Sequence, residues 1–359
     1  MRKYDPNRTF YLDFTQTMCY NEQNYVYCGG RGCGKSTGVQ MILVKDFLKR
    51  GRKFMWWRIK DVAVKELSAG PFFDLAVRTK YHIKKSYVKT DIIYADFGEG
   101  IKEVGRVGAI ASFYNLKGTP QHELSKEDKA DIKDKVKKTT KKLMAGGYYN
   151  CCLDEMNLEA TERSLSAPIA YCLSNTIETL FRLDNNFRLF MLGNTLAESS
   201  ELLVDLFGGF CPNDYGIYHL RKYDVVIQMI EDSDKYKAAR EQSWAGKHYG
   251  SHSTFTNRIM FDDKLVTKKK HLSKQTAVIY FDNMDYFVVC DGKVITKQKI
   301  AEGNKKIQKI ALKPLIIGVQ YDKNLAKMVI DNTLLRQFEF QNRSVMTMFQ
   351  TRLKYLLGE

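Results

Sequence analysis

No stretch of this 359-residue sequence holds eighteen consecutive apolar residues, the length a membrane-spanning helix needs. The opening residues, MRKYDPNRTFYLDF, have no apolar core of the kind a secretory leader uses, so the expected location is the cytoplasm, with no membrane partner. Histidine is scarce, at six residues, and the eight cysteines at 19, 28, 33, 151, 152, 172, 211 and 290 form no C-x-x-C pair. That pattern argues against a zinc site or a disulfide framework and predicts reduced, partly buried thiols. Negative charge is also short. Against 57 basic residues stand 41 acidic ones, a formal net charge of +16 with a pI near 9.3. Such an excess attracts polyanions, and because no Lys/Arg cluster flanks an apolar span, nucleic acid is favoured over a membrane surface. Internal repeats and low-complexity linkers are absent. The length suits two domains, and 44% hydrophobic residues suffice for packed cores.

What is present is a phosphate-loop pattern. Gly29-Gly30-Arg31-Gly32-Cys33-Gly34-Lys35-Ser36 satisfies G-x-x-x-x-G-K-[ST], and Thr37 opens the segment that follows. Its glycines let the backbone turn N–H groups inward. With the N-terminus of the next helix these form an anion site for the α/β-phosphates of ATP, and Lys35 extends it to the γ-phosphate. Ser36 is placed to hold Mg²⁺. The flanks agree: Asn24 to Cys28 reads as a short buried strand, and Thr37 to Leu48 has helical apolar spacing at Val39, Ile42, Leu43, Phe47 and Leu48. Residues 1–23, polar and aromatic, read as a lead-in that would help sandwich the adenine base.

A second strand, Lys53 to Arg58, is too apolar to be exposed on both faces. Ligands of open α/β sheets lie outside the strand carboxyl ends, so Arg58 and Lys60 are candidates for a phosphate of their own or a neighbouring subunit's site. A helical pattern from Val62 to Thr79 is broken at Gly70-Pro71, and Ile92–Phe97 and Gly108–Phe113 read as strands of a hairpin or meander. Lys117 to Lys142 is almost all charged or polar, with lysines dominating its second half, and is expected to be an exposed helix or lid. The apolar run Tyr148 to Leu153 ends in Asp154-Glu155, the Walker B arrangement: Asp154 orients Mg²⁺ and Glu155 polarises the attacking water. The distance from the phosphate loop leaves room for a strand between the two motifs, as in the additional-strand catalytic-glutamate class of P-loop ATPase. Pro168 to Phe181 is a helix with Arg182 at its end. Phe187 to Asn194 is a strand that ends where a γ-phosphate sensor would stand, which makes Asn194 the candidate. The run Val225 to Ile230 is expected to close the sheet.

This reading gives an α/β P-loop ATPase domain over residues 1–230, a short helical linker over 231–264 and a basic α+β domain over 265–359. The last has β-rich patterning from Ala277, strands at Val294-Ile295 and Leu315–Val319, and a terminal helix from Asn342 to Leu357.

The segments YVYCGGRGCGKS, FMWWR, CCLDE and LFRLDNNFRLFMLGN, with the size and order of the domains, resemble the genome-packaging ATPases of small protein-primed tailed phages of the phi-29 kind. The phosphate-loop wording is also similar to that of large terminase subunits. The resemblance implies a homo-oligomeric ring, a pentamer, that drives double-stranded DNA through a portal into a procapsid in the host cytoplasm. It leaves open whether a structural packaging RNA assists. It implies that Arg182, in the LFR segment, completes a neighbour's site as an arginine finger, and that the second domain is an RNase H-like nuclease fold that has lost its activity. Lys141 and Lys142 are the candidates for lid or in-trans lysines. Two rivals stand beside it. One is a terminase-like motor with a live nuclease, although Asp282, Asp285 and Asp291 lie on one hairpin whose alternation splits their faces. The other is a nucleic-acid-binding structural subunit that only binds ATP, which Glu155 argues against.

Overall fold

The computed structural model describes residues 14–30, 32–110, 148–157, 168–182, 184–194, 200–210, 215–249, 265–267, 272, 274–281, 283, 285–300, 307–314, 316–334 and 337–357. Arg31, Lys141, Lys142, Asp282 and the lysine-rich segment therefore lie outside the described residues. Contacts divide the chain into two units, 1–197 with 212–259, and 198–211 with 260–359. The first unit thus takes in the helices of the expected linker, while residues 198–211 leave the expected motor domain for the second unit.

The first unit is built on a nine-stranded sheet. Its strands are β1 (Asn24–Gly29), β2 (Lys53–Arg58), β3 (Lys85–Lys89), β4 (Ile92–Asp96), β5 (Ile101–Ala109), β6 (Tyr148–Asp154), β7 (Arg188–Asn194), β8 (Gly216–Leu220) and β9 (Val225–Met229). Their spatial order is β3-β4-β5-β2-β6-β7-β1-β9-β8. The six strands from β5 to β9 in that order are parallel, and antiparallel neighbours extend each side. Central parallel strands are covered on both faces, which is why β1, β2, β6 and β7 read as nearly continuous apolar runs. Tyr25, Tyr27, Phe54, Trp56, Trp57 and Phe190 are fully buried there. The polar intruder in β6, Asn150, donates Nδ2–H to the buried Asp46 carboxylate at 2.7 Å, which satisfies its amide nitrogen, while its Oδ1 is buried with no hydrogen-bond partner among the described residues.

Helices fill the crossovers. α1 (Thr15–Met18) precedes β1, α2 (Lys35–Arg50) joins β1 to β2, and α3 (Asp61–Glu66) and α4 (Leu75–Lys80) flank the Gly70-Pro71 break. α5 (Ile169–Phe181) leads into β7, and α7 (Asp234–Gln242) and α8 (Trp244–Tyr249) follow β9. No described helix is long and apolar enough to cross a membrane.

Two expectations shift. β5 begins at Ile101, well before the expected Gly108, because its glycines and its Lys102, Glu103 and Arg106 mask the apolar alternation. The sheet does not close at β9: β8, whose residues are mostly half-buried, pairs antiparallel beyond it. Of the lead-in segment expected to help sandwich a base, only the part from Phe14 onward is described, and Tyr20 in it is exposed. Phe14 is buried, meets Tyr27 edge-on at 4.4 Å, and fills the space in which a side chain at Gly38 would sit.

The second unit carries a five-stranded sheet in the order β13-β10-β11-β12-β14, made of β10 (Gln275–Tyr280), β11 (Tyr286–Cys290), β12 (Val294–Thr296), β13 (Gln308–Ala311) and β14 (Glu339–Phe340). β10 to β12 form an antiparallel meander, and β13 and β14 add parallel strands on either side. α9 (Lys323–Leu334), α10 (Arg343–Leu357) and α6 (Glu201–Leu206) belong to this unit. Val345, Phe349 and Leu353 of α10 pack on Phe281, Phe287 and Phe340 in one apolar cluster. Where a strand is expected at 315–319, the described residues 316–319 form a turn, with Ile317 85% exposed and Gly318 at φ 74°; the parallel strand lies earlier, at β13.

Candidate nucleotide site

The carboxyl ends of β1, β7, β6 and β2 bring the candidate residues together. β1 ends at Gly29, and the loop after it turns into α2 through Gly34 at φ 90°, a left-handed conformation that a Cβ would penalise. No side chain caps α2 and its first turn holds no acid, so its leading N–H groups and positive dipole end are left for an anion. Lys35 is buried, and its ammonium donates to the Gly29 and Gly30 carbonyls, each at 2.8 Å, and to Asn194 Oδ1 at 3.3 Å. The β1/β7 register sets Asn194 directly beside Gly29. Asn157 Nδ2–H donates to the Asn194 carbonyl at 3.4 Å, tying the loop after β6 to the end of β7.

β7 lies between β1 and β6, so the phosphate-loop strand and the Asp154 strand are not neighbours. Across that gap Ser36 Oγ donates to Asp154 Oδ1 at 3.2 Å. A hydroxyl and a carboxylate converging in this way are the hard oxygen donors that Mg²⁺ takes, and the pair fits that ion. Asp154 is buried, and burial pushes its carboxyl above the usual range, with the Arg58 guanidinium pulling it back and the Glu155 charge adding to the rise. Glu155 follows at φ 57°, a left-handed turn that sends its half-exposed side chain away from Asp154's direction.

Arg58 is committed to these acids. One guanidinium nitrogen lies 2.9 Å from Asp154 Oδ2 and the other pairs with Glu155 Oε2. Burial works against its charge, but the two carboxylates outweigh it and hold its pKa above the ordinary value. The expectation that Arg58 faces a phosphate is thus replaced by a clamp on both acids, because β2 is the direct neighbour of β6. Lys60 precedes α3 and is not part of the cavity lining.

A cavity of about 720 Å³ opens over Lys35, Ser36, Asp154, Glu155 and Asn194 and extends to the loop 66–74. That loop, which the sequence marked only by its Gly-Pro break, is pinned across the start of α2. Thr37 Oγ1 donates to Asp74, Gln40 Nε2–H donates to the Phe72 carbonyl at 3.3 Å, and the Asp74 N–H donates to Gln40 Oε1 at 3.0 Å. Gln40 and Asp74 carried no motif by which they could have been found.

Arg182 does not join this group. A parallel crossover runs its helix antiparallel to the strands, so α5 begins beyond the carboxyl end of β6 and ends at the amino edge of the sheet. There Gln23 Nε2–H donates to the Asn185 carbonyl at 2.8 Å, just ahead of β1 and β7. The seven residues of β7, at about 3.3 Å each, span roughly 20 Å from that edge to the carboxyl end where Asn194 meets Lys35. The expectation that it lies near the active edge is corrected accordingly.

In the second unit Asp285 and Asp291 stand at opposite ends of β11. Asp285 is paired with Lys297 and, at 2.8 Å, with Arg352. Asp291 accepts the Lys274 N–H at 3.2 Å. Among the described residues no group of three His, Cys, Asp or Glu is arranged to hold a metal ion.

No protein-family model and no curated protein matches the chain. Solved structures do resemble it. The phi-28 gp11 DNA packaging motor is similar with a TM-score of 0.64 at 14% identity, over 97% of this chain and 98% of the other. The bacteriophage phi-29 viral genome packaging motor assembly is similar with a TM-score of 0.61 at 14% identity, over 97% of this chain and 100% of the other. At these identities the likeness is one of fold, and it spans both units of the chain.

Proposed function

We propose that this protein is the ATP-hydrolysing subunit of a viral genome-packaging motor, a homo-oligomeric ring that moves double-stranded DNA into a procapsid. The observation that carries the reading is the convergence of Lys35, Ser36, Asp154 and Asn194 at one edge of a sheet in which β7 separates the two motif strands. That order is the one expected of the additional-strand catalytic-glutamate class. The N–H groups at the start of α2 and the Lys35 ammonium bind the triphosphate, and Asn194 orients Lys35 and senses the terminal phosphate. Ser36 and Asp154 hold Mg²⁺, which when bound neutralises charge on the β- and γ-oxygens. Glu155, released from Arg58, accepts the proton of the attacking water. The fold likeness to two packaging motors and the net charge of +16 support the DNA-moving role, with the portal and procapsid as further partners. The RNase H-like character of the second unit belongs to the same proposal.

The test is steady-state ATP turnover with and without duplex DNA. Lys35→Ala should abolish binding or turnover. Glu155→Gln should still bind ATP but turn it over about 10² to 10⁴ times more slowly. Normal turnover in Lys35→Ala would remove the reading.

A further inference from the structure

The outermost strand of the nine-stranded sheet carries charge of one sign. Between Leu75 and Thr90 the chain holds Arg78, Lys80, Lys84, Lys85 and Lys89, with His82 and without a single acid. β3 forms the last part of that stretch and stands at the end of the strand order, paired with β4. Lys80, His82, Lys84, Lys85 and Lys89 are all exposed. Among the described residues none of these four lysines forms an ion pair with an acid. The neighbouring acids are occupied instead. Asp96, opposite Lys85 in the ladder, accepts the Gly98 and Gly100 N–H groups at 2.8 and 3.3 Å, and Glu99 pairs with Lys102 at 2.8 Å. Asp91, in the turn after Lys89, is the nearest acid in sequence.

Strand geometry arranges the charge. Alternation turns Ser86 and Val88 to the core, where the buried Ser86 Oγ accepts the Phe73 N–H at 3.2 Å and Val88 packs on the large apolar cluster. Lys85, Tyr87 and Lys89 share the opposite face. There Tyr87 stacks on Tyr94 of β4 at 5.3 Å, with the Lys85 ammonium 5.2 Å from the Tyr87 ring centre. Lys85 and Lys89 are four residues apart, which separates them by about 13 Å along the strand. Lys84 leans over the β4–β5 turn, its ammonium end within 4 Å of where a side chain at Gly98 would begin. Lys80, at the end of α4, lies on the α2 side of the sheet, its ammonium 3.8 Å from Met41 Sδ. Lysines thus flank the edge on both faces, on a backbone anchored by buried contacts.

We propose that this edge, β3 with the end of α4, is a surface along which the phosphate backbone of duplex DNA lies; this rests on the DNA-moving reading above. Unpaired ammonium groups on a straight, anchored element recognise a regular row of phosphates and read no base. The 13 Å between Lys85 and Lys89 is about the length over which one strand of B-DNA presents four phosphates.

The experiment titrates the full chain with duplex DNA of mixed sequence across a salt series. Four proteins are compared: wild type, the triple variant Lys84→Gln, Lys85→Gln, Lys89→Gln, the same three positions changed to arginine, and a control triple, Lys222→Gln, Lys235→Gln, Lys309→Gln, which removes equal charge at exposed positions elsewhere. The slope of log affinity against log salt should fall by about 2 to 3 in the edge triple, with at least about tenfold weaker binding at low salt, alike for unrelated sequences. The arginine triple should keep affinity and slope, and the control triple should keep the slope. ATP turnover without DNA should be unchanged in the edge triple. Equal losses in the edge and control triples would reduce the effect to net charge. Intact DNA affinity would remove the surface, and intact affinity with new aggregation would make these lysines guards of an open strand edge. A larger loss for single-stranded than for duplex DNA would assign the edge to another partner. Each of these results overturns the inference while the DNA reading stands on wild-type binding, whereas a wild type that binds no duplex at any salt ends both. Should the edge triple fail to fold, Lys85→Gln and Lys89→Gln singly should each lower the slope by about 1, and an unchanged slope in both would refute the assignment.

Discussion

At the scale of single residues the site is governed by a conflict at Asp154. Burial disfavours its charge, Glu155 beside it disfavours it further, and Arg58 at 2.9 Å is the chief group opposing both. A carboxyl raised above its ordinary value loses its ionised form, the one proposed to hold Mg²⁺, sooner as pH falls. In Arg58→Ala the opposing charge is gone, so Asp154 rises further and the acid limb of the Mg-dependent turnover profile should move to higher pH. An acid limb in the same place would show that Arg58 does not set it, and the measurement is kcat/KM against pH in the two proteins. The sequence made Lys35, Ser36, Asp154 and Asn194 legible because each sits at a fixed offset from a strand end. It could not reveal Arg58's partners. Which strand ends beside β2 is a property of sheet order, and nothing in KFMWWR records that β6 lies next to it.

Among elements, the packing of α6 on α10 is where local patterning was least informative. Arg352 of α10 bridges Asp205 of α6, at 3.2 Å, and Asp285 ahead of β11, and Ser344 Oγ donates to the Gly209 carbonyl. Burial alone would raise Asp285, but its hydrogen bond and ion pair with Lys297, together with Arg352, outweigh that and hold its carboxyl below the usual range. A lowered folded-state pKa contributes stability above the ordinary carboxylate value, and that stability is lost as pH falls through the lowered one. The second unit should therefore lose stability on acidification below about pH 4, and Asp285→Asn should flatten that dependence. Arg352→Ala, which leaves two acids without their shared cation, should cost about 1–3 kcal/mol at neutral pH. Urea unfolding followed across that pH range checks both, and a parallel dependence in Asp285→Asn would assign it elsewhere. Helices α2, α5 and α10 were readable from their apolar spacing. The strand at 308–311 was missed because KIQKIA interleaves lysines with few apolar residues, while the more apolar LIIGV that drew the assignment contains Gly318 in a left-handed turn.

For the whole molecule, the amino-edge position of Arg182 bears on assembly. It stands at the opposite end of β7 from the residues around its own Lys35, so any part it plays in hydrolysis would be played in another subunit's site. If Arg182→Ala and Glu155→Gln subunits, each inactive alone, regain turnover when co-assembled, sites completed across the interface are demonstrated; co-assembly without recovery returns Arg182 to capping α5. An arginine supplied in trans is worth about 10³ to 10⁵ in rate in other nucleotide hydrolases, so recovery would be plain. The excursion of residues 198–211 into the second unit was not legible: Gly208-Gly209 and Pro212-Asn213-Asp214 carry turn signals, but a turn does not record which sheet its neighbours join. That excursion also sets a timetable for biogenesis. Asp205 is synthesised 147 residues before Arg352, so at about 5–20 residues per second the buried Leu202, Leu203 and Val204 wait roughly 7 to 30 s for the helix that closes over them. A nascent chain with three neighbouring aliphatic side chains uncovered for that long is a natural client for a holding chaperone, and slower translation downstream of residue 211 would lengthen its exposure.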